Sequence, residues 1–169
     1  MELPIGIMLA IGVVGIGFAY YLVRYVMGCD QGSDAIRNIS AAIKEGASAF
    51  LKRQYLLLSI FVVIITTGLA FIPALGPNVA ITFISGAICS GLAGFIGMSM
   101  AVRSNSRTAA AAQKSLNAGL TVSFRGGAIM GICVVSIGLI GVSILYSVFN
   151  SDANFYSILA GFGFGASSV

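Results

Sequence analysis

Hydrophobic and polar positions follow one another along this chain in long blocks. Residues 3–23 and residues 54–102 contain no charged side chain, and a further apolar block follows Arg125. A helix needs about 20 consecutive apolar residues to cross the hydrocarbon core of a bilayer. The segment Pro73-Ala-Leu-Gly76-Pro77-Asn78 is a turn signal inside the second block and predicts a helical hairpin there.

These blocks predict an all-α fold, a polytopic transmembrane helical bundle that forms a single membrane domain over residues 1–169. The four full spans are expected at residues 3–25, 55–72, 79–102 and 126–149, and a fifth begins at residues 155–169. The fifth segment is too short to cross a bilayer alone. We therefore expect either a chain that is truncated inside a helix or, as the alternative, a short re-entrant segment.

Two polar connections, residues 28–54 and residues 103–125, separate the spans and have amphipathic helical patterns. Residues 29–33 predict a polar turn, in which Ser33 is a candidate N-cap for a helix that begins at Asp34. The apolar face of this helix is expected to hold Ile36, Ile39, Ile43, Ala47 and Phe50.

The second connection predicts a basic helix that leads directly into the fourth span. If residues 103–131 form one helix, its basic side chains fall within about 40° of one another and its apolar side chains lie opposite. An ordinary solvated loop whose charges only set orientation is the alternative. The basic residues are Arg103, Arg107, Lys114 and Arg125, and the apolar ones are Ala109, Ala112, Leu116 and Leu120.

Composition supports the membrane assignment, because 58% of the residues are hydrophobic and 8% are charged, against about 25% charged in soluble domains. Eight of the nine basic residues fall in the two connections, and the ninth, Arg24, lies at the end of the first span beside the first connection. The positive-inside rule therefore predicts an outside N-terminus and cytoplasmic basic connections. This placement explains the net charge of +4 without a nucleic-acid partner.

The sequence does not show the groups of side chains that catalysis or metal binding would need. The chain has no histidine, and the predicted spans contain no acidic or basic side chain except Arg24 at the end of the first, although ion pathways through membranes are normally marked by such groups. The acids in the connections are only Asp30, Asp34 and Glu45, too few and too scattered to predict a metal site. We therefore expect no catalytic and no metal-binding residues in this chain.

Several short motifs, in order, resemble the membrane-integral, ion-translocating inorganic pyrophosphatases, which pump H⁺ or Na⁺. The resemblance covers about residues 36–169. The motifs are Lys44-Glu45-Gly46-Ala47 with Phe50-Leu51-Lys52-Arg53-Gln54-Tyr55, Ala93-Gly94-Phe95-Ile96-Gly97-Met98, Arg107-Thr108-Ala109, Ser115-Leu116-Asn117, Val122-Ser123-Phe124-Arg125-Gly126-Gly127, and Gly161-Phe162-Gly163-Phe164-Gly165-Ala166-Ser167-Ser168.

The resemblance implies that the chain is the N-terminal portion of a homodimeric pump with about sixteen membrane helices per subunit. Such a pump would hydrolyse magnesium pyrophosphate at the cytoplasmic face of, we expect, a prokaryotic cell membrane. The Mg²⁺ and pyrophosphate ligands of the family follow the fifth helix, beyond Val169. By this resemblance the 169-residue chain alone is expected to be inactive.

One candidate site residue comes from the resemblance, namely Ser167, which would face the ion path near the membrane gate. A small serine used only for helix packing is an equal alternative. A role of Arg103, Arg107 and Arg125 in attracting pyrophosphate is a weaker alternative to their role in orientation. The second hypothesis for the whole chain is a catalytically inactive membrane scaffold or the remnant of a truncated gene.

Overall fold

Five helices make up the computed structural model, which describes residues 2–72 and 76–168 and contains no strand within those ranges. The helices are α1 (Glu2–Gly28), α2 (Asp34–Ala70), α3 (Gly76–Lys114), α4 (Leu116–Phe149) and α5 (Phe155–Ser167). The first four are long and apolar enough to cross a membrane, and α5 is a shorter apolar helix. The predicted all-α bundle, with four full spans and the start of a fifth, is confirmed.

The predicted turns coincide with the breaks between helices. Residues 29–33 separate α1 from α2, and Ser33 occupies the N-cap position, although its side chain makes no capping hydrogen bond. α2 ends at Ala70 and α3 begins at Gly76, so the last three residues of the predicted turn signal belong to α3, whereas Pro73, Ala74 and Leu75 lie outside the described residues. The polar segment 150–154 joins α4 to α5.

The prediction of one continuous helix over residues 103–131 is wrong. α3 ends at Lys114, and Ser115 adopts an extended conformation with φ −166° and ψ 155°. The Ser115 hydroxyl oxygen accepts a hydrogen bond from the backbone N–H of Ala118 at 3.1 Å and so caps α4. Serine is favoured at such positions because it satisfies an amide that has no partner in the first helical turn. Arg125 therefore lies on a different helix from the three preceding basic residues.

The amphipathic segments are parts of the long helices and not separate elements. α2 has 37 residues and α3 has 39, which correspond to lengths of about 55–60 Å at 1.5 Å per residue. A bilayer hydrocarbon core is about 30 Å thick. Each of these helices is therefore long enough to carry an apolar span and, continuous with it, a basic segment.

The core of the bundle lies where α1, α3 and α4 meet. α4 packs against both α1 and α3, while α2 and α5 pack against α3. Inside this junction, Val26 and Ile129 are fully buried beside Met100. Small and medium apolar side chains from the three helices fill the space between them, as close packing requires.

α2 is the least embedded helix, because none of its residues is buried. Its best-defined bond to α3 is made by Tyr55, whose hydroxyl donates to the Gly91 carbonyl oxygen at 2.5 Å. The Tyr55 ring also contacts Phe95 edge-on, with 6.4 Å between ring centroids. On the predicted apolar face of α2, Ile39 and Phe50 are 64% and 55% exposed, so this chain does not cover that face.

Backbone packing between α3 and α5 is especially close. A Cβ atom added to Gly86 would meet the Phe162 carbonyl oxygen, and one added to Gly165 would meet the Phe83 carbonyl oxygen. Thr82 strengthens this interface because its buried hydroxyl donates to the Ile158 carbonyl oxygen at 2.9 Å. Small residues at helix interfaces allow such approach in membranes, where packing drives association.

Replacing Gly165 by alanine should push α5 away from α3, because the new methyl group has backbone atoms as neighbours and these cannot move aside. We expect G165A to lower the free energy of unfolding by about 1–3 kcal/mol. The measurement is denaturant unfolding in mixed micelles, followed by far-UV circular dichroism.

The matched control is G163A on the same helix, where an added Cβ has no neighbour within 4 Å. Alanine is also the better helix former by about 1 kcal/mol. G163A should therefore be neutral or stabilising. Equal destabilisation by the two variants would show that the α3–α5 contact is not close.

Candidate functional site

Ser167, the predicted site residue, is the last residue of α5 and is exposed. Its hydroxyl donates to the Phe164 carbonyl oxygen at 3.0 Å, and the Ser168 hydroxyl donates to the same oxygen at 2.7 Å. Within the described ranges, this local carbonyl is the only hydrogen-bond partner of the Ser167 side chain. The hydroxyl is accessible, but the contacts of this chain do not assign it a role.

Basic side chains from two helices converge on one cavity of about 310 Å³, which we call the basic cavity. Arg37 and Lys44 reach it from α2, and Arg103 and Arg107 reach it from α3. Met27 at the end of α1 and Gln31 in the following turn complete one side. None of the residues that line the cavity is acidic, so its electrostatic character favours anions.

Arg107 is the buried member of this group, with 5% of its surface exposed. One terminal nitrogen donates to the Arg103 carbonyl oxygen at 2.5 Å, and the other donates to the Met27 carbonyl oxygen at 3.3 Å. The second bond joins α3 to the C-terminal end of α1, where a helix dipole favours a positive charge. The Nε atom is buried and has no hydrogen-bond partner among the described residues.

Sequence reasoning assigned Arg107 to an exposed basic face and missed its burial. The available signal was the small size of its neighbours, since Ser104, Ser106 and Ala110 allow a close helix contact and are themselves buried. Small side chains around a basic residue are a weak signal, because they also occur on solvated helix faces. Arg107 is buried because the end of α1 lies against it, and the spacing of residues along the sequence does not predict that contact between α1 and α3.

Arg125 is separated from the basic cavity and makes a different interaction. Its guanidinium carbon lies 3.8 Å from the centroid of the Tyr25 ring, which is a cation–π contact between α4 and α1. The four basic residues that sequence reasoning placed on one face therefore have different surroundings in the structure. Lys114 is exposed at the end of α3. Arg103 and Arg107 belong to the cavity, whereas Arg125 fastens α4 to the end of α1.

Two acidic side chains near these basic groups, Asp34 and Asp30, already have partners. Asp34 forms an exposed ion pair with Arg37 at 2.6 Å, the only salt bridge in the described part of the chain. Asp30 accepts a hydrogen bond from the Gly32 amide at 3.0 Å. Residues 2–72 and 76–168 bring no three histidine, cysteine or acidic side chains together, so these residues do not fit a Mg²⁺ cluster of the kind that binds pyrophosphate.

Beside the basic cavity, a groove runs between α2 and α3. A cavity of about 150 Å³ shares Lys44, Val102 and Arg103 with the basic cavity. A larger cavity of about 340 Å³ shares Leu51 and Met98 with it, and we call these two adjacent cavities the groove. Apolar side chains dominate the lining of the groove, which therefore changes from basic at one end to apolar at the other.

A family model described as inorganic H⁺ pyrophosphatase matches residues 13–169. A K(+)-insensitive pyrophosphate-energized proton pump from Methanosarcina mazei is 40% identical over 158 residues, which cover 94% of this chain and 23% of the relative. The K(+)-insensitive pyrophosphate-energized proton pump 2 of Moorella thermoacetica is 42% identical over 161 residues, with 94% and 24% covered.

A third relative has a sodium pump name. The putative K(+)-stimulated pyrophosphate-energized sodium pump of Clostridium tetani is 40% identical over 158 residues, which cover 94% of this chain and 23% of the relative. The chain thus spans about a quarter of the length of the curated relatives that it matches.

Proposed function

The chain belongs to the inorganic H⁺ pyrophosphatase family, and on that premise we propose that it forms the N-terminal scaffold of an ion pump. The complete pump would couple hydrolysis of magnesium pyrophosphate to transport of H⁺ or Na⁺ across a membrane. The observation that carries this proposal is the family match over residues 13–169. Relatives are named as proton pumps and as sodium pumps, so the ion is left open.

In this proposal the described helices support catalysis without performing it. Phosphoryl transfer to water needs metal ions that neutralise phosphate oxygens and a group that orients the water. The described residues offer no carboxylate cluster for that purpose. Mg²⁺ and pyrophosphate would bind residues of the complete protein outside residues 1–169, in a larger fold of about sixteen helices per subunit of a homodimer. The 169-residue chain by itself would be inactive.

The proposed topology places the N-terminus outside and the basic ends of α2 and α3 in the cytoplasm. All nine basic residues belong to the segments 24–53 and 103–125, which supports this orientation. The Asn78 side chain donates to the Asp152 carboxylate at 3.3 Å, so the first turn of α3 and the segment between α4 and α5 meet at the opposite end. A prokaryotic cell membrane is the proposed location.

A chimera tests the proposed function. The chain would replace the matching 158-residue region of the Methanosarcina mazei relative, and its membranes would be assayed for phosphate release from pyrophosphate. We expect Mg²⁺-dependent hydrolysis that a chelator abolishes, whereas membranes containing only the 169-residue chain should show none. An inactive chimera, expressed as well as an active unmodified relative, would count against the proposal.

The proposed role of Ser167 in the ion path can be tested in the same chimera. S167A removes one hydroxyl that could bind the ion or its water, so we expect ion uptake per pyrophosphate hydrolysed to fall about 3- to 10-fold. The control is S168A, because Ser168 donates to the same Phe164 carbonyl oxygen. If S167A transports like S168A, Ser167 serves helix packing alone.

Cysteine labelling tests the topology in a variant that lacks Cys29, Cys89 and Cys133. Lys114 and Ser151 are both exposed and lie at opposite ends of α4. A membrane-impermeant maleimide should label S151C in intact cells but K114C only after the cells are permeabilised. The reverse pattern would invert the proposed orientation.

A further inference from the structure

The basic cavity carries more positive charge than its surroundings neutralise. Asp34 pairs with Arg37 at its edge, and no acidic residue lines the cavity. Lys44, Arg103 and Arg107 therefore have no carboxylate partner among the described residues. Three cations within one small volume repel one another, and this repulsion is relieved when an anion binds between them.

Arg107 is the member of this group with a buried hydrogen-bond donor that lacks a partner among the described residues. A buried cation is costly unless it is paired and hydrogen-bonded, yet Arg107 is 5% exposed and has two carbonyl partners and a buried Nε without a partner. A guanidinium presents its donors in a planar fork that matches phosphate or carboxylate oxygens. The cavity of about 310 Å³ provides the space for such an anion beside it.

The groove beside the basic cavity indicates that the bound anion belongs to a molecule with an apolar part. Lys44 and Arg103 line the smaller cavity of the groove and Leu58 lines the larger one, and the two cavities have Leu51 and Met98 in common. Along α2 the distance from Lys44 to Leu58 is about 21 Å at 1.5 Å per residue. Half of the hydrocarbon core measures about 15 Å, so the residues that line the groove extend over the length that an acyl chain needs to reach the midplane of the bilayer.

We propose that the basic cavity and the groove together bind one anionic phospholipid. Its phosphate lies among Lys44, Arg103 and Arg107, and its acyl chains follow the groove between α2 and α3. Charge complementarity selects the phosphate end, and the apolar lining selects the hydrocarbon end. The lipid would also cover part of α2, none of whose residues this chain buries.

The test uses the full chain reconstituted with phosphatidylcholine and phosphatidylglycerol of equal acyl length, and native mass spectrometry counts the lipids that it retains. We expect preferential retention of phosphatidylglycerol. K44Q and R103Q should each weaken this retention about 3- to 10-fold. Arg107 is left in place, because its bond to Met27 joins two helices.

Matched controls keep the result specific to the site. K52Q and R53Q each remove one positive charge from exposed positions on α2 outside the cavities that form the site, and retention should be unchanged. A47W should block the groove, whereas A49W, at an exposed position outside it, should not. Circular dichroism would verify that each variant is folded.

A second arm distinguishes a lipid from a free ion. Inorganic phosphate is titrated into the chain in phosphatidylcholine nanodiscs and binding is followed by calorimetry. Phosphatidylglycerol retention that is sensitive to K44Q but not to K52Q supports the proposal. Binding of inorganic phosphate without lipid retention, equal effects of the cavity and control variants, or no binding in either arm would overturn it.

Discussion

Close backbone contact along α3 is the constraint on which the rest of the bundle depends. In a bilayer, water does not drive helices together, so association relies on packing and on hydrogen bonds between helices. Gly86 lets α5 approach at one end of α3, and Thr82 adds a buried hydrogen bond there. Near the other end, Arg107 bonds to the last turn of α1. The same helix thus organises an apolar junction and a basic one.

The two ends of α3 differ in whether their buried polar side chains have hydrogen-bond partners. At the α5 end, the buried Thr82 hydroxyl has the carbonyl oxygens of Val79 and Ile158 as partners. At the basic end, the Nε of Arg107 has no partner in the described residues, and neighbouring cations face a cavity. In the pump that we propose, ion transport would rest on residues of the complete protein outside this chain. The peripheral helices would then contribute position, orientation and, in our proposal, a lipid site.

Much of the helical architecture was predictable because hydrophobic runs of this length have few alternatives in a bilayer. The ends of the helices were less predictable, as the break at Ser115 illustrates. Basic periodicity continued through that residue, but Ser115 is extended and its hydroxyl caps a new helix by accepting a hydrogen bond from the Ala118 amide. α4 and α5 each contain a pair of glycines four residues apart, Gly127 with Gly131 and Gly161 with Gly165, and the two pairs look equivalent in sequence. Gly161 and Gly165 pack against α3, whereas a Cβ atom added to Gly127 or Gly131 would have no neighbour within 4 Å.

The sequence by itself determined the class of protein, the number of long apolar helices and the gathering of basic residues in two segments, because these follow from local hydrophobicity and charge. Motif order also indicated the family. Only the tertiary structure decided which basic residues share a cavity, which one is buried and which glycines allow close contact. Those properties depend on how helices distant in sequence are placed against one another, and neither periodicity nor composition records that placement.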